Sequence, residues 1–543
     1  MAGPADVVTT PERRRAFEAD GSWDTTTIGA RVADHAARSG DLPAVTDLLG
    51  RRCRTWAELD RDAERVAAFL TDSGVGPGDV VGVQLPNWYE TVAIDLGAWK
   101  LGAVLNPLLP VYRAKELHHT AMVARTKVLF TPDEYRGFDH VGLVEGLRST
   151  LPDLRRHVVV TDPERNADAF AKWLEPFPAT GRASPVDAGA VSELIFSSGT
   201  EAEPKAIMHT EQTANAAMRA AHSALGFRSG DVVWMPSPLG HSTGLNYGAR
   251  LALYHGLPLV LQDRWSAAAA TALVEEQRCT YTVAATTFLS DFVHDARACG
   301  RDVGSLRLFC SGGAPVPPEL VAGAEELGIT VLRLYGSTES LVATWNRPGT
   351  PRRKRFETDG PPLDNVEVEV RDEAGAAVTG TPGEIFTRGP AHAVGYFADP
   401  ERTAAAFTAE GWVRSGDVGV LDDEGYLRIV GRKKEIIIRG GINIAPREIE
   451  DVISELPQVG AVAVVGLPDA RLGELVCACV VLRDGDLDLE ALVGYLRSAG
   501  LALYKMPQRL VLLDALPMTP TGKIRKFELV AQIADDRTGE DHQ

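Results

Sequence analysis

Five short clusters of small, hydroxylic and charged residues hold most of the chemistry that this sequence offers. Ser197-Ser198-Gly199-Thr200-Glu201-Ala202-Glu203-Pro204-Lys205 directly follows a strand-like run at 193–196. Hydroxyls and a glycine let backbone N–H groups close on an anion, and Lys205 adds a point charge. The glycine spacing and the missing Lys-Ser/Thr ending set this loop apart from a Walker A motif. Tyr335-Gly336-Ser337-Thr338-Glu339 follows the run 331–334. It offers a ring to stack on a base, hydroxyls for phosphate and a carboxylate oxygen for Mg²⁺. In Arg414-Ser415-Gly416-Asp417, Asp417 is placed to accept two hydroxyl hydrogens from a ribose. Gly431-Arg432 and Pro520-Thr521-Gly522-Lys523 complete the set, the latter with a lone lysine on a Gly/Pro-rich loop. Taken singly, the first reads equally well as a surface turn, and each of the others reads more readily as a turn or a helix cap than as a site.

The elements that must position these clusters are short apolar runs. Residues 80–84, 158–160, 193–196, 232–235, 282–285, 306–309 and 331–334 read as strands, and 88–101 as a helix ending before Asn106-Pro107. Several runs lead through Gly, Ser or Thr into Ala-, Leu- and Glu-rich helical stretches. Alternation of this kind implies an α/β fold with crossovers and mostly parallel sheets, ligands lying at the strands' carboxyl ends. Near Gly431 the character changes. Arg432-Lys433-Lys434-Glu435 is a charged joint between strands at 426–430 and 436–438. Beyond it, Ile449, Val452, Ile453 and Leu456 follow i, i+3, i+4, i+7 on a helix begun by Pro446. Strands at 461–465, 476–481 and 510–513 and a helix at 489–496 complete an α+β unit with a polar, frayed tail. The division is a large domain over 1–431, a hinge over 432–435 and a small domain over 436–543.

The chain has 543 residues, 56 Lys+Arg against 74 Asp+Glu, and a net charge of −18. At 45% hydrophobic and 24% charged it is globular rather than disordered. The acid excess argues against nucleic-acid partners, which need a cationic face, so Arg352-Arg353-Lys354-Arg355 reads as a surface loop. Six cysteines without metal spacing fit a reducing compartment. Cys477 and Cys479 alternate on one strand face and should pack. His118-His119 reads as a solvated helix face. With no apolar leader and no run near the ~20 residues that span a bilayer, a soluble cytoplasmic protein without a membrane span is expected.

In this order and at these separations the five clusters cease to be independent. Together with Leu101-Gly102-Ala103-Val104-Leu105-Asn106-Pro107, Cys310-Ser311-Gly312-Gly313-Ala314-Pro315 and Gly411-Trp412, they resemble the adenylate-forming superfamily. That group holds acyl- and aryl-CoA synthetases, luciferases and the adenylation domains of peptide synthetases, and the resemblance runs over nearly the whole chain. It implies a large domain with a barrel-like lobe, a mobile small domain, and the use of ATP, Mg²⁺ and CoA. By the same resemblance, Ser197, Ser198, Gly199, Thr200, Glu201 and Lys205 form a loop over the β- and γ-phosphates, with Thr200 and Glu339 holding Mg²⁺. Gly313, Ala314 and Tyr335, with Gly336 and Ser337, line the nucleotide site, and Thr338 contacts the α-phosphate. Asp417 and Arg432 take the ribose. Lys523 bridges carboxylate and α-phosphate, Lys434 lies at the hinge, and Gly440-Gly441 flank a pantetheine tunnel. His241, Ser242, Thr243, Thr286, Thr287, Phe288, Ser311, Gly312, Gly313 and Gly336 become the candidate acyl pocket, with His241 beside the chemistry.

The expected reaction is ATP-dependent activation of a carboxylic acid to an acyl-adenylate with release of pyrophosphate, followed by transfer to CoA. The moderately polar pocket set favours a medium-sized, aryl or alicyclic acid. No acid stands between His241 and Asp263 to hold an α-ammonium, which disfavours amino acids. The phosphate loop departs from the family pattern: Glu201-Ala202 replaces Thr-Gly, and Ala206 follows Lys205 where a glycine is usual. Glu201 must point away from phosphate or be offset by Mg²⁺ or Lys205. Three other readings stay open. One is the same fold without CoA ligation, passing its acyl group to a carrier protein or activating nitrite for diazotisation of an aryl amine. Another is a silent nucleotide-binding protein. The last is a serine hydrolase through Gly240-His241-Ser242-Thr243-Gly244.

Overall fold

The computed structural model describes residues 9–179, 186–196, 204–312, 316–439, 442–469, 472–499, 501, 503–519 and 523–540. Two sheets dominate the large domain. An eight-stranded sheet runs in the order Leu341–Trp345, Thr330–Ser337, Leu308–Gly312, Tyr281–Val283, Val233–Met235, Leu259–Leu261, Pro43–Asp47, Arg52–Thr55. Its inner pairs are parallel and only its two edge pairs are antiparallel. A six-stranded sheet follows the order Ala206–Thr210, Val191–Phe196, Val104–Pro107, Val80–Val83, Val128–Pro132, Arg156–Val160, antiparallel only at its first pair. Strands covered on both faces are apolar without alternation. Val80–Val83, Val104–Pro107 and Val128–Pro132 are buried at every position; of these, only the first is among the strands read from the sequence. Helix Tyr89–Leu101 is buried from Tyr89 through Trp99, so it carries no polar face. Gly102 ends it at φ +74°, a conformation that favours glycine.

The expected barrel-like lobe is instead an open antiparallel sheet, Glu367–Arg371, Gly383–Arg388, Val413–Leu421, Leu427–Arg432. Its first and last strands do not pair, so no closed barrel forms among the described residues. A separate sheet serves the C-terminal domain: Ile442–Ile444, Ile437–Arg439, Gly473–Leu482 and Val459–Asp469, with Arg509–Leu512 parallel to Gly473–Leu482. Its two cores draw only on residues from Ile437 to Ile533. Cys477 and Cys479 are both buried in the second of them, on the face covered by Leu529 and Ile533. Those two residues belong to helix Lys526–Glu540, so the tail expected to fray is helical to Glu540. Leu529 and Ile533 are four residues apart and give that helix a buried stripe.

The basic run is helical as well, Arg352–Glu357. Arg352 and Arg355 meet Glu325, Arg353 meets Glu357, and Lys354 meets Asp422 and Glu424. Paired cations of this kind leave little field for a polyanion. His118 and His119 are half-buried rather than solvated. The His119 ring lies 3.2 Å from the Pro204 carbonyl and 6.1 Å edge-on from Phe196. No described helix is long and apolar enough to cross a membrane.

Candidate active site

The carboxyl end of Thr330–Ser337 supplies the first half of the site. Tyr335 is buried, and its hydroxyl donates to Asp417 Oδ2 at 2.8 Å. Burial, followed by the Asp417 charge, holds the phenol well above its ordinary pKa, so Tyr335 stays a donor at any physiological pH. Asp417 lies opposite Arg432 on neighbouring antiparallel strands, and Arg432 Nε stands 3.2 Å from Asp417 Oδ1. The two carboxylate oxygens therefore have different protein partners.

Glycine at 336 is required before any ligand arrives. The strand pair bulges between Tyr335 and Gly336, and a Cβ at Gly336 would lie 1.9 Å from the Leu341 carbonyl oxygen. Gly312 is similarly tight, with the Leu334 carbonyl oxygen 2.5 Å from a built Cβ. After the bulge, Ser337 Oγ accepts the Ser340 N–H at 3.2 Å. The Thr338-Glu339 turn is then tied to other strands. His209 Nε2 lies 2.7 Å from the Thr338 carbonyl. A carbonyl only accepts, so Nε2 carries the proton, and burial keeps this ring from charging. The Ala393 N–H donates to the Glu339 carbonyl at 2.7 Å, and the Tyr396 hydroxyl donates to Glu339 Oε1 at 2.9 Å. Ser340 Oγ, Thr387 Oγ1 and His392 Nε2 form a chain with 2.8 Å links beneath the turn.

Lys523 belongs to the C-terminal domain but is electrostatically coupled to Asp417, Glu339, Arg432 and Glu435. Its side chain is exposed to solvent, with protein packed around it on the other side. That surrounding protein, followed by Arg432, pulls its ammonium pKa below the ordinary lysine value, against the pull of Asp417 and Glu339. Lys523 also acts on His241. Burial, with the Lys523 charge second, pushes His241 down to about 4, so the ring is neutral. Its Nδ1 accepts the Thr243 N–H at 3.3 Å, which leaves the proton on Nε2.

The glycines flanking His241 have a packing origin. A Cβ on Gly240 would sit 2.4 Å from the Leu108 carbonyl oxygen, and one on Gly244 2.2 Å from that of Pro238. Ser242 is buried at the start of a helical turn, and no hydrogen bond joins it to an imidazole among the described residues. The nucleophile–base pair that a serine hydrolase needs is not assembled there. Ser311 is buried on Leu308–Gly312, with Thr286 Oγ1 3.4 Å from its Oγ. Thr287 is exposed. Phe288 belongs to the packing of the second large core, meeting Trp265 edge-on at 4.4 Å. Lys434 is exposed on the single helical turn Lys433–Glu435. Ser197, Ser198, Gly199, Thr200, Glu201, Gly313, Ala314, Gly440 and Gly441 lie outside the described residues.

Beside the strand Val191–Phe196 lies a buried charge network. Arg250 is fully buried, pairs with Glu193 and Glu211, and stacks 4.1 Å from the Trp99 ring centroid. Burial, with Glu193 second, holds the nearby Asp95 carboxyl well above its usual range. Sequence reasoning passed over His209, Thr387, His392 and Tyr396. His209 carries a signal, as the one ionisable side chain in the strand Ala206–Thr210.

Comparison with known proteins agrees with this geometry. The family model described as AMP-binding enzyme matches residues 32–397, and that for the AMP-binding enzyme C-terminal domain matches residues 448–523. The medium-chain fatty-acid–CoA ligase of Escherichia coli (strain K12) is 35% identical over 523 residues, covering 95% of this chain and 92% of the relative. The 2-hydroxy-7-methoxy-5-methyl-1-naphthoate–CoA ligase of Streptomyces carzinostaticus is 33% identical over 546 residues, covering 97% of each. ATP-bound MatB from Rhodopseudomonas palustris superposes with a TM-score of 0.84 at 26% identity, covering 93% of this chain and 99% of that one. The match of both family models, with relatives aligned nearly end to end, makes this chain a member of the adenylate-forming AMP-binding enzyme family.

Proposed function

We propose that the protein is an AMP-forming acid–thiol ligase. It activates a medium-sized carboxylic acid, aryl or alicyclic by preference, as an acyl-adenylate with release of pyrophosphate, and then transfers the acyl group to CoA. The observation that carries this reading is the position of Lys523. A lysine from the small domain interacts electrostatically with Asp417, Glu339, Arg432 and His241 of the large domain. Relatives named as ligases of a medium-chain fatty acid and of a substituted naphthoate support the breadth of the acid class.

Attack of a carboxylate on an α-phosphate brings two anions together, and charge grows on the phosphoryl oxygens. Lys523 supplies a cation at that point, and Thr338 precedes Glu339 in the pinned turn. Asp417 and Arg432 hold the ribose, while Tyr335 donates to Asp417 and fixes its orientation. Glu339 suits a hard cation: one carboxylate oxygen is occupied by Tyr396, and Oε2 has no partner among the described residues. Glu339, with Thr200, would hold Mg²⁺, whose positive charge offsets that of the phosphates. His241 is neutral, so it adds a wall and an N–H donor to the acyl side without a second cation beside Lys523.

The second half-reaction needs a thiol where Lys523 now stands. A hinge over 432–435 would clear it. Arg432 is the last residue of the large domain's antiparallel sheet, and the C-terminal sheet begins at Ile437. The test is incubation with ATP, Mg²⁺ and a panel of acids, with and without CoA, following AMP and thioester by mass spectrometry. CoA-dependent thioester supports the reading. Adenylate that passes to a carrier protein but not to CoA, or AMP release that requires nitrite, overturns it.

A further inference from the structure

We infer that Tyr396 is a positioning residue for adenylation, one side chain that joins the lysine ending the phosphate loop to the carboxylate Glu339. This inference rests on the adenylating role proposed above. Tyr396 is 3% exposed. Its hydroxyl donates to Glu339 Oε1 at 2.9 Å, and Lys205 Nζ stands 5.2 Å from the centre of its ring. The ring therefore offers its face to the cation and its hydroxyl to the anion.

The backbone makes this junction rigid. Residues 394–397 run antiparallel to Ala206–Thr210, the strand that continues from the phosphate loop. Ile207 bridges Tyr396, the Met208 N–H donates to the Gly395 carbonyl at 3.0 Å, and the Phe397 N–H donates to that of Ala206 at 2.8 Å. The Tyr396 N–H donates to Thr403 Oγ1 at 3.0 Å, and Phe407 meets the ring at 5.5 Å and 73°. With backbone and ring both fixed, the hydroxyl occupies Oε1 and turns Oε2 toward whatever cation accompanies the nucleotide. The ring face attracts the Lys205 ammonium through its quadrupole. Outer hydrogen bonds of this kind orient ligating carboxylates and raise their effectiveness.

The test uses Tyr396→Phe, which keeps the ring and the cation contact and removes only the hydroxyl. Mn²⁺ binding is titrated by electron paramagnetic resonance in the presence of a non-hydrolysable ATP analogue, with melting temperature measured alongside. The variant should bind Mn²⁺ about tenfold more weakly, the scale of a lost outer-shell partner, with its melting temperature held. Thioester formation from synthetic acyl-adenylate and CoA should be unchanged. Tyr396→Leu, which removes the ring as well, should also weaken binding of the nucleotide analogue itself. Unchanged Mn²⁺ affinity in Tyr396→Phe overturns the inference, as does an equal loss in both half-reactions. Wild-type protein that gives no adenylate with any acid would overturn the functional reading instead, while the Mn²⁺ titration would still decide the role of Tyr396.

Discussion

Replacing Lys523 by alanine should separate the two half-reactions. The lysine stands among Asp417, Glu339 and Glu435 with Arg432 close by, so its removal takes one positive charge from the point where phosphoryl charge develops. A unit charge about 4 Å from that oxygen is worth about 4 kcal/mol at an effective dielectric of ~20. Lys523 keeps solvent contact, which screens part of this, and a loss of about 10²- to 10³-fold in adenylation is expected. Acid-dependent ATP–pyrophosphate exchange reads that step alone. Transfer from synthetic acyl-adenylate to CoA reads the other, and the variant should retain it. The pH profile gives a second check. A lysine is charged below its pKa, and the surrounding protein with Arg432 has lowered this one, so exchange should decline with rising pH before an ordinary lysine would titrate. Thioester transfer should show no such limb. A loss below about tenfold in exchange, or equal losses in both steps, would refute the assignment of Lys523.

Three further substitutions test the scaffold. Arg250→Met leaves Glu193 and Glu211 buried without their cation and should cost about 3–5 kcal/mol in chemical denaturation. Gly336→Ala drives a Cβ into the Leu341 carbonyl and should lower the melting temperature and adenylation together; an active, stable variant would contradict the strand geometry. His392 is pushed down to about 3 by burial and then by Arg13, so below about pH 6.5 the unfolded chain takes a proton that the folded one refuses. Stability should therefore fall as pH drops from about 6.5 toward 3, by up to about 1.4 kcal/mol per pH unit for this residue. His392→Gln should flatten that slope in denaturation midpoints at pH 7, 6 and 5.

The sequence carries the positions of the clusters because of where they sit. The loop that starts at Ser197 follows a largely buried strand, and Tyr335 follows a mostly buried apolar run. Runs of this kind are visible in the sequence, so 80–84 and 331–334 fall within about one residue of their observed starts. Pairing across the chain has no such signature. His209 reaches Thr338 across 129 residues, and Tyr396 reaches Glu339 across 57. Neither contact follows a period, so a reading based on local chemistry finds Thr338 and Glu339 but not what holds them. The basic run at Arg352–Arg355 misleads for a related reason: its partners Glu325, Asp422 and Glu424 are distant in sequence, and helical order follows once those pairs form. The glycines at 240 and 244 fit a hydrolase elbow in sequence, yet each is fixed by a neighbouring carbonyl. The last dozen residues look polar by composition, yet the helix Lys526–Glu540 runs through most of them, with Leu529 and Ile533 seating it on the sheet.

The pairing of Asp417 with Arg432 has a mechanical consequence. These residues face each other on the last two strands of the large domain's antiparallel sheet, and the turn Lys433–Glu435 begins at the next residue. If the small domain swings about that turn, its axle is mounted on the pair proposed to hold the ribose. A nucleotide seated between Asp417 and Arg432 would stiffen the mount, and its departure would slacken it, so occupancy and freedom to swing share one bearing. On this view Arg432 governs the timing of the stroke as well as the grip on ATP.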